Sequence, residues 1–173
     1  MTARNVRPGW IDYETSKEFV AVEDYDTIMR RGLPRIDDLL LTMEAPLGNV
    51  ALVDRTDIAL AQRIVKFRAD PRVVVAKFLL YSTMGSWFQS QLLARATGST
   101  ALGLKASKLP ELRIAVPKLE EQKKIVKFLD DRCSRIDTLT AKADEVIDTL
   151  REYRSALITD AVTGKIDVRQ AVG

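Results

Sequence analysis

The side chains of this chain that could do chemistry are suited to binding. Arginine, asparagine and glutamine carry forked groups that match the edges of guanine and adenine, and lysine and arginine also hold phosphates. Residues of these types form three clusters, which are Arg4, Asn5 and Arg7; Arg30, Arg31 and Arg35; and Gln62, Arg63, Lys66 and Arg68. Nucleic acid is therefore the first candidate ligand.

Catalytic chemistry has little support in the composition. The 173 residues include no histidine, which removes Ser-His-Asp and Cys-His catalysis and histidine-ligated zinc. The single cysteine, Cys133, can form neither an internal disulfide nor a thiolate metal cluster. We expect neither a metal nor a cofactor.

Two short motifs resemble enzyme sites, but one has the wrong spacing and the other lies in the wrong kind of element. From Gly98 to Lys105 the sequence is similar to a phosphate-binding loop, yet Leu104 separates the second glycine from the lysine. Residues 121–123 have the carboxylate and lysine of a nuclease site, but they lie in a predicted helix. The enzyme hypothesis left open is a nuclease that uses Asp37, Asp38 and Glu121.

The net charge of +3 is confined to the first part of the chain. Residues 1–110 hold 15 basic and 12 acidic side chains, while residues 111–173 hold 12 of each. This balance permits nucleic-acid binding without requiring it. No stretch is long and apolar enough to span a bilayer, and the first residues lack the apolar run of a signal peptide, so we expect a soluble, cytoplasmic protein.

Hydrophobic patterning predicts a mixed region followed by one long helix. Apolar runs bounded by turn formers predict strands at 38–42, 49–53, 64–67 and 19–22, with the first two joined as a hairpin. A later run that alternates and ends at Pro117 predicts a strand at 112–116. The helical spacing of aromatic and apolar residues predicts one core-facing helix that contains Phe78, Tyr81, Met84, Phe88 and Leu92.

From Leu119 a heptad pattern predicts a single helix that ends near Gly164. Gln122 falls at a d position, where it would weaken the apolar seam. Because the first part of the chain has no stretch long enough to cover such a helix, we expect a second helix against it. The predicted interface residues are Ile125, Val126, Leu129, Cys133, Ile136, Leu139, Ala143, Val146, Ile147, Leu150 and Leu157.

Several of these segments resemble the specificity subunits of type I restriction-modification systems. Residues 109–117 and 119–130 are similar to the junction between a target recognition domain and its helix in that family. Residues 150–167, which contain Val162-Thr163-Gly164-Lys165, are similar to the end of that helix. The segments 5–9, 38–42, 61–63 and 98–101 also occur in the family's order.

The resemblance implies an α+β fold with a mixed, β-rich target recognition domain, a packed helix and then one long coiled-coil-type helix. It implies a recognition domain at 1–117, a spacer and dimerisation helix at 118–163 and a tail at 164–173. It also adds Ser99, Thr100 and Lys105 to the candidate DNA-binding residues. Family members often have glycine where this chain has Asp37, which leaves the geometry of that turn open.

The function implied by the resemblance is non-catalytic recognition of one half of a bipartite duplex DNA target. The expected partners are double-stranded DNA, a modification (methyltransferase) subunit, a restriction subunit and a second long helix, from the same full-length chain or from a second copy. Because family members usually have two recognition domains and two helices, we expect a fragment or a half-length subunit. The rival hypothesis is a coiled-coil assembly protein that binds no DNA.

Overall fold

The computed structural model describes residues 1–30 and 32–167. The chain divides into two compact units, Met1–Val126 and Lys127–Gly173. Among the described residues, no helix combines the length and apolarity that crossing a membrane requires.

The first unit is organised around one buried strand. Strand β3 (Leu39–Met43) pairs antiparallel with β4 (Leu47–Leu52) on one side and with β5 (Ile64–Phe67) on the other. All five side chains of β3 are buried. Because successive side chains of a strand point to opposite faces, this requires an apolar layer on both sides of the sheet. The predicted hairpin and third strand are confirmed.

Two separate cores cover the two faces. Leu40 packs on one face with N-terminal residues from β1 (Val6–Arg7) and β2 (Trp10–Ile11). Leu39 and Leu41 pack on the other face against the helices. The first core contains Ala3, Val6, Ile11, Leu40, Ala51, Val53, Ile58 and Ile64, and the second contains Leu39, Leu41, Met43, Val50, Leu80, Phe88, Leu92 and Leu104.

The helices of the first unit are shorter than predicted. The expected single aromatic helix is two helices, α2 (Ala76–Met84) and α3 (Ser86–Arg95), separated at Gly85, whose backbone is extended. The described residues also form the one-turn helix α1 (Tyr25–Ile28) and 3-10 helices at Ala3–Asn5, Val22–Asp24 and Ala106–Glu111.

Two strand predictions were wrong. Residues 19–21 are irregular, Val22 begins a 3-10 helix and Phe19 is 90% exposed, so residues 19–22 form no paired strand. Residues 112–116 are extended but unpaired; the Gln91 side-chain amide donates to the Arg113 carbonyl (2.9 Å) and accepts from the Arg113 N–H (3.0 Å). The alternating pattern reflects Leu112 and Ile114 packing against the second core, not a ladder of strands.

The long helix α4 runs from Leu119 to Val162, as predicted. Glu120 and Glu121 lie in its first turn, where their charge suits the positive end of the helix dipole. Gly164 follows the helix with φ of +76°, the left-handed conformation that glycine adopts readily at a helix end.

Gln122 does not contribute to an exposed seam, which corrects its predicted place. It is completely buried in the first unit. Its Nε2 donates to the carbonyls of Val73 (2.9 Å) and Pro117 (2.7 Å), and its Oε1 accepts from the Val75 N–H (2.9 Å). The amide therefore satisfies three backbone groups of irregular segments that have no ladder partner.

The entry to β3 is fixed by a buried carboxylate. The Asp38 carboxylate accepts hydrogen bonds from Arg68 Nε and Nη2, at 2.8 Å each, and from the Arg35 N–H, at 2.8 Å. Burial raises the pKa of Asp38, but the hydrogen bonds from Arg68 and Arg35 and the nearby charge of Lys66 outweigh it and hold the pKa below its usual value. Asp37 has φ of +68°, so it adopts the conformation that glycine would favour in this turn.

We expect Gln122→Leu to destabilise the first unit by about 1–3 kcal/mol, because leucine leaves three partly buried backbone groups without their hydrogen-bond partner. Gln91→Leu is the matched control. It removes a similar amide pair from exposed Arg113, where water can replace the hydrogen bonds, so the loss should stay below about 1 kcal/mol. Urea denaturation followed by tryptophan fluorescence measures both, and equal losses would contradict the role given to Gln122.

We expect the Asp38 pair to make stability depend on acid pH. Because the pKa is lowered in the folded state, its stabilisation is complete above the pKa of the unfolded chain and is lost as the pH falls through the folded value. Asp38→Asn should cost about 2 kcal/mol at neutral pH and should lose less stability than the wild type below about pH 4. Denaturation at several pH values measures the free energy of unfolding of both proteins. If the wild type and Asp38→Asn lose equal stability as the pH falls, this role of Asp38 is contradicted.

Candidate nucleic-acid interface

The last residue of β3 holds two other segments of the first unit beside it. The Met43 N–H donates to the Arg63 carbonyl (2.9 Å), and the Met43 carbonyl accepts from the Leu104 N–H (2.9 Å). Arg63 comes directly before β5, and Leu104 follows the loop after α3. Backbone hydrogen bonding therefore brings residues far apart in sequence to one end of the sheet.

The loop at this end is closed by its own backbone. Thr97 and Gly103 exchange two N–H to carbonyl hydrogen bonds, each of 2.9 Å. Gly98 has φ of +122°, and a Cβ at this position would lie 2.1 Å from the Ala101 carbonyl oxygen. Only glycine fits this turn, so Gly98, the first glycine of the phosphate-loop-like segment, is required by the geometry of the loop.

Five predicted DNA-binding residues belong to these segments, and all five are exposed. They lie on or next to the segments that Met43 and the loop hold in place. Two are cations, two are hydroxyl donors and one is an amide, which together can hold phosphates and match base edges. We call this set the recognition edge, and it consists of Gln62, Arg63, Ser99, Thr100 and Lys105.

Asn5 of the N-terminal cluster has a structural role. Asn5 is 1% exposed, and its Oδ1 accepts from the Thr2 N–H (2.8 Å). Its Nδ2 donates to the carbonyls of Asp12 (2.8 Å) and Ser16 (2.9 Å). Its prediction as a DNA contact is corrected because its amide is used in holding the N-terminal segment.

Arg4 and Arg7 of the same cluster differ in their exposure to solvent. Arg4 is exposed on a 3-10 helix. Arg7 is partly buried and donates to Thr15 Oγ1 (2.9 Å) and Asp12 Oδ2 (3.4 Å), so its guanidinium is tied to a neighbouring loop.

Lys66 lies toward the opposite end of the sheet from Arg63. Because β3 and β5 are antiparallel, Phe67 lies opposite Leu39, far from Met43. Lys66 Nζ there donates to the Leu33 carbonyl (2.6 Å) and approaches Asp38 (3.6 Å), which corrects its prediction as a free phosphate contact. Arg30 is exposed outside the strands, and Arg31 lies outside the described residues.

Sequence analysis missed one residue at the recognition edge. Glu44 follows Met43 directly, and its Oε2 is 3.6 Å from Arg63 Nε. Glu44 also forms an isolated backbone bridge with Gly103. Its position between the two predicted hairpin strands, 38–42 and 49–53, was the available signal, but no motif marks it. Within the part of the chain that the structure describes, no group of three or more His, Cys, Asp or Glu residues could hold a metal ion.

The predicted helix interface is an apolar stripe on α4. In the first unit, Ile125 and Val126 are partly buried. In the second unit, Leu129 and Cys133 are partly buried and the other predicted residues are exposed, with Leu139 at 66% and Leu150 at 60%. The exposed ones are Ile136, Leu139, Ala143, Val146, Ile147, Leu150 and Leu157. Apolar side chains at heptad spacing are typical of a helix that pairs with another helix.

Comparison with known structures gives the fold. The S subunit of a type I restriction-modification system from M. genitalium aligns with a TM-score of 0.52 and 22% identity, over 73% of this chain and 33% of that chain. A chain from a structure of complex assembly and conformational transition of the type I R-M system aligns with a TM-score of 0.63 and 17% identity. The alignment covers 93% of this chain and 37% of that chain. Both support the predicted α+β architecture.

Curated relatives are specificity subunits of type I restriction enzymes. The EcoKI subunit of Escherichia coli K12 is 24% identical over 55% of this chain and 20% of its own length. The EcoBI subunit of Escherichia coli is 25% identical over 75% of this chain and 27% of its own length. The MjaVIII subunit of Methanocaldococcus jannaschii is 25% identical over 95% of this chain and 39% of its own length. The chain therefore spans between a fifth and two fifths of these relatives.

The family model described as the type I restriction modification DNA specificity domain matches residues 11–148. The matched range includes all three strands of the central sheet, the recognition edge and most of α4. The chain belongs to the type I restriction-modification DNA specificity domain family.

Proposed function

We propose that this chain is a DNA sequence-recognition subunit, or part of one, of a type I restriction-modification complex. Residues 1–117 bind one half-site of a bipartite duplex target, residues 118–163 form the spacer and dimerisation helix, and residues 164–173 form a tail. The observation that carries this proposal is the family match over residues 11–148. The chain itself is non-catalytic, and its work with DNA takes place in the cytoplasm.

The recognition edge supplies the chemistry that duplex recognition needs. Arg63 and Gln62 have the forked groups that match guanine and adenine, and both are exposed. Lys105 offers a point charge for a phosphate, while Ser99 and Thr100 offer hydroxyl donors on a loop of fixed shape. Because phosphate contacts release counterions, binding should weaken steeply as salt rises.

The apolar stripe of α4 supplies the means of assembly. Side chains such as Leu139, Val146 and Leu150 are more than half exposed on the described helix, and covering them with a second helix would remove this apolar area from water. The second helix comes from the same full-length chain or from a second copy. The modification and restriction subunits then supply the methylation and cleavage chemistry at the site that the specificity subunit selects.

Charge removal at the recognition edge tests DNA binding. Lys105→Ala should weaken binding to all duplexes and lower the slope of log affinity against log salt by about one, because one phosphate contact is lost. Arg63→Ala should cost about 1–3 kcal/mol and relax the preference at one base position. Arg72→Ala is the matched control, because Arg72 is an exposed arginine paired with Asp70 beyond the far end of β5.

Fluorescence anisotropy with labelled duplex measures these affinities, using the full chain alone and together with the modification subunit of a type I system. If neither sample binds duplex DNA at low salt, the proposal fails and the rival hypothesis of a coiled-coil assembly protein gains support. Equal effects of Arg63→Ala and Arg72→Ala would place the interface elsewhere on the head, which is residues 1–117.

Charge insertion in the apolar stripe tests assembly. Leu129→Asp and Leu150→Asp should each abolish association through α4, because a buried unpaired carboxylate opposes helix pairing. Thr138→Asp is the control, because it adds the same charge at an f position, away from the stripe. Light scattering after size-exclusion chromatography measures the mass. An unchanged mass in both leucine variants would contradict the assembly role.

A further inference from the structure

Glu44 is a carboxylate placed among the groups that would meet DNA. Its Oε2 lies 3.6 Å from Arg63 Nε, and the two side chains are 37% and 61% exposed. Both can therefore be reached from solvent. Because phosphates repel a carboxylate, an acid at this point lowers sequence-independent affinity unless it has another use.

Glu44 has neighbouring groups on two sides. On one side is the Arg63 guanidinium, and on the other is Gly103, whose backbone pairs with that of Glu44. A Cβ added at Gly103 would lie 3.3 Å from Glu44 Cγ and 3.5 Å from its Cβ. The bare glycine thus allows the stem of Glu44 to lie against the loop, and a side chain there would displace it.

The contact between Glu44 Oε2 and Arg63 Nε bears on how the Arg63 guanidinium could bind a base. Guanine is recognised by a pair of guanidinium N–H groups directed at O6 and N7, which requires a fixed guanidinium plane. The closest contact of Glu44 is with Nε, which leaves the two terminal nitrogens for an outside acceptor. An exposed arginine without such a partner would sample many rotamers and would lose entropy on binding.

We propose that Glu44 is a positioning residue for Arg63. It raises the discrimination between bases and lowers the affinity for DNA of any sequence. This inference rests on the proposed function and adds a determinant of its specificity. Glu44 orients the guanidinium toward a guanine, and its negative charge weakens binding to phosphates that are not aligned with the correct base. A role in folding alone would lower both kinds of binding together.

The test uses the full chain with the modification subunit and a pool of duplexes with a random segment. Bound duplexes are selected and sequenced for wild type, Glu44→Gln and Arg63→Ala, and affinity for an unselected duplex is measured at low salt. The base position whose preference disappears in Arg63→Ala identifies the contact of that arginine. Asp70→Asn is the control, since Asp70 pairs with exposed Arg72 in another segment.

Glu44→Gln should lower discrimination at that position from about 5- to 100-fold to less than about 3-fold. Its affinity for the unselected duplex should rise by about two- to fivefold, because one repulsive charge near the phosphates is gone. Gly103→Ala keeps the carboxylate but displaces it, so it should lower discrimination without that rise. Asp70→Asn should change neither quantity.

Three other results have distinct meanings. If Glu44→Gln selects the same bases with the same strength as wild type, the inference is overturned while the proposed function stands. If discrimination and sequence-independent affinity fall together, Glu44 has only a structural role and the inference is again overturned. If wild type itself enriches no sequence, the proposed function fails and the inference fails with it.

Discussion

The burial of β3 on both faces is the constraint on which the rest of the first unit depends. A five-residue strand with every side chain buried must be covered on each side by a separate core. Leu40 packs with residues of the N-terminal strands on one face, and Leu39 and Leu41 pack with residues of α2 and α3 on the other.

The two ends of β3 then have different uses. At the beginning, Asp38 accepts a pair of hydrogen bonds from Arg68, and the cations there are used inside the fold. At the end, Met43 donates to and accepts from segments that carry Arg63 and Lys105, whose side chains are exposed. The same strand therefore separates cations that stabilise the protein from cations available to a ligand, although composition treats them alike.

Patterning predicted the elements whose signal is local and missed those decided by tertiary contacts. The hairpin, the third strand and α4 follow from apolar periodicity and turn residues. Residues 112–116 alternate like a strand, but the Gln91 amide takes the place of a neighbouring strand, which no local pattern shows. Likewise, the heptad pattern could not reveal that Gln122 is buried, and composition could not distinguish buried Asn5 from exposed Arg4. The place of Glu44 depends on a contact with Arg63, 19 positions later in the sequence.

The central claim is that duplex DNA lies against the recognition edge at the end of β3. A photoreactive amino acid incorporated in place of Thr100, compared with the same group in place of Arg72, tests this claim most directly. After irradiation of the complex with duplex DNA at low salt, the account predicts a covalent protein–DNA product from position 100 and little or none from position 72. Crosslinking from position 72 with none from position 100 would contradict it.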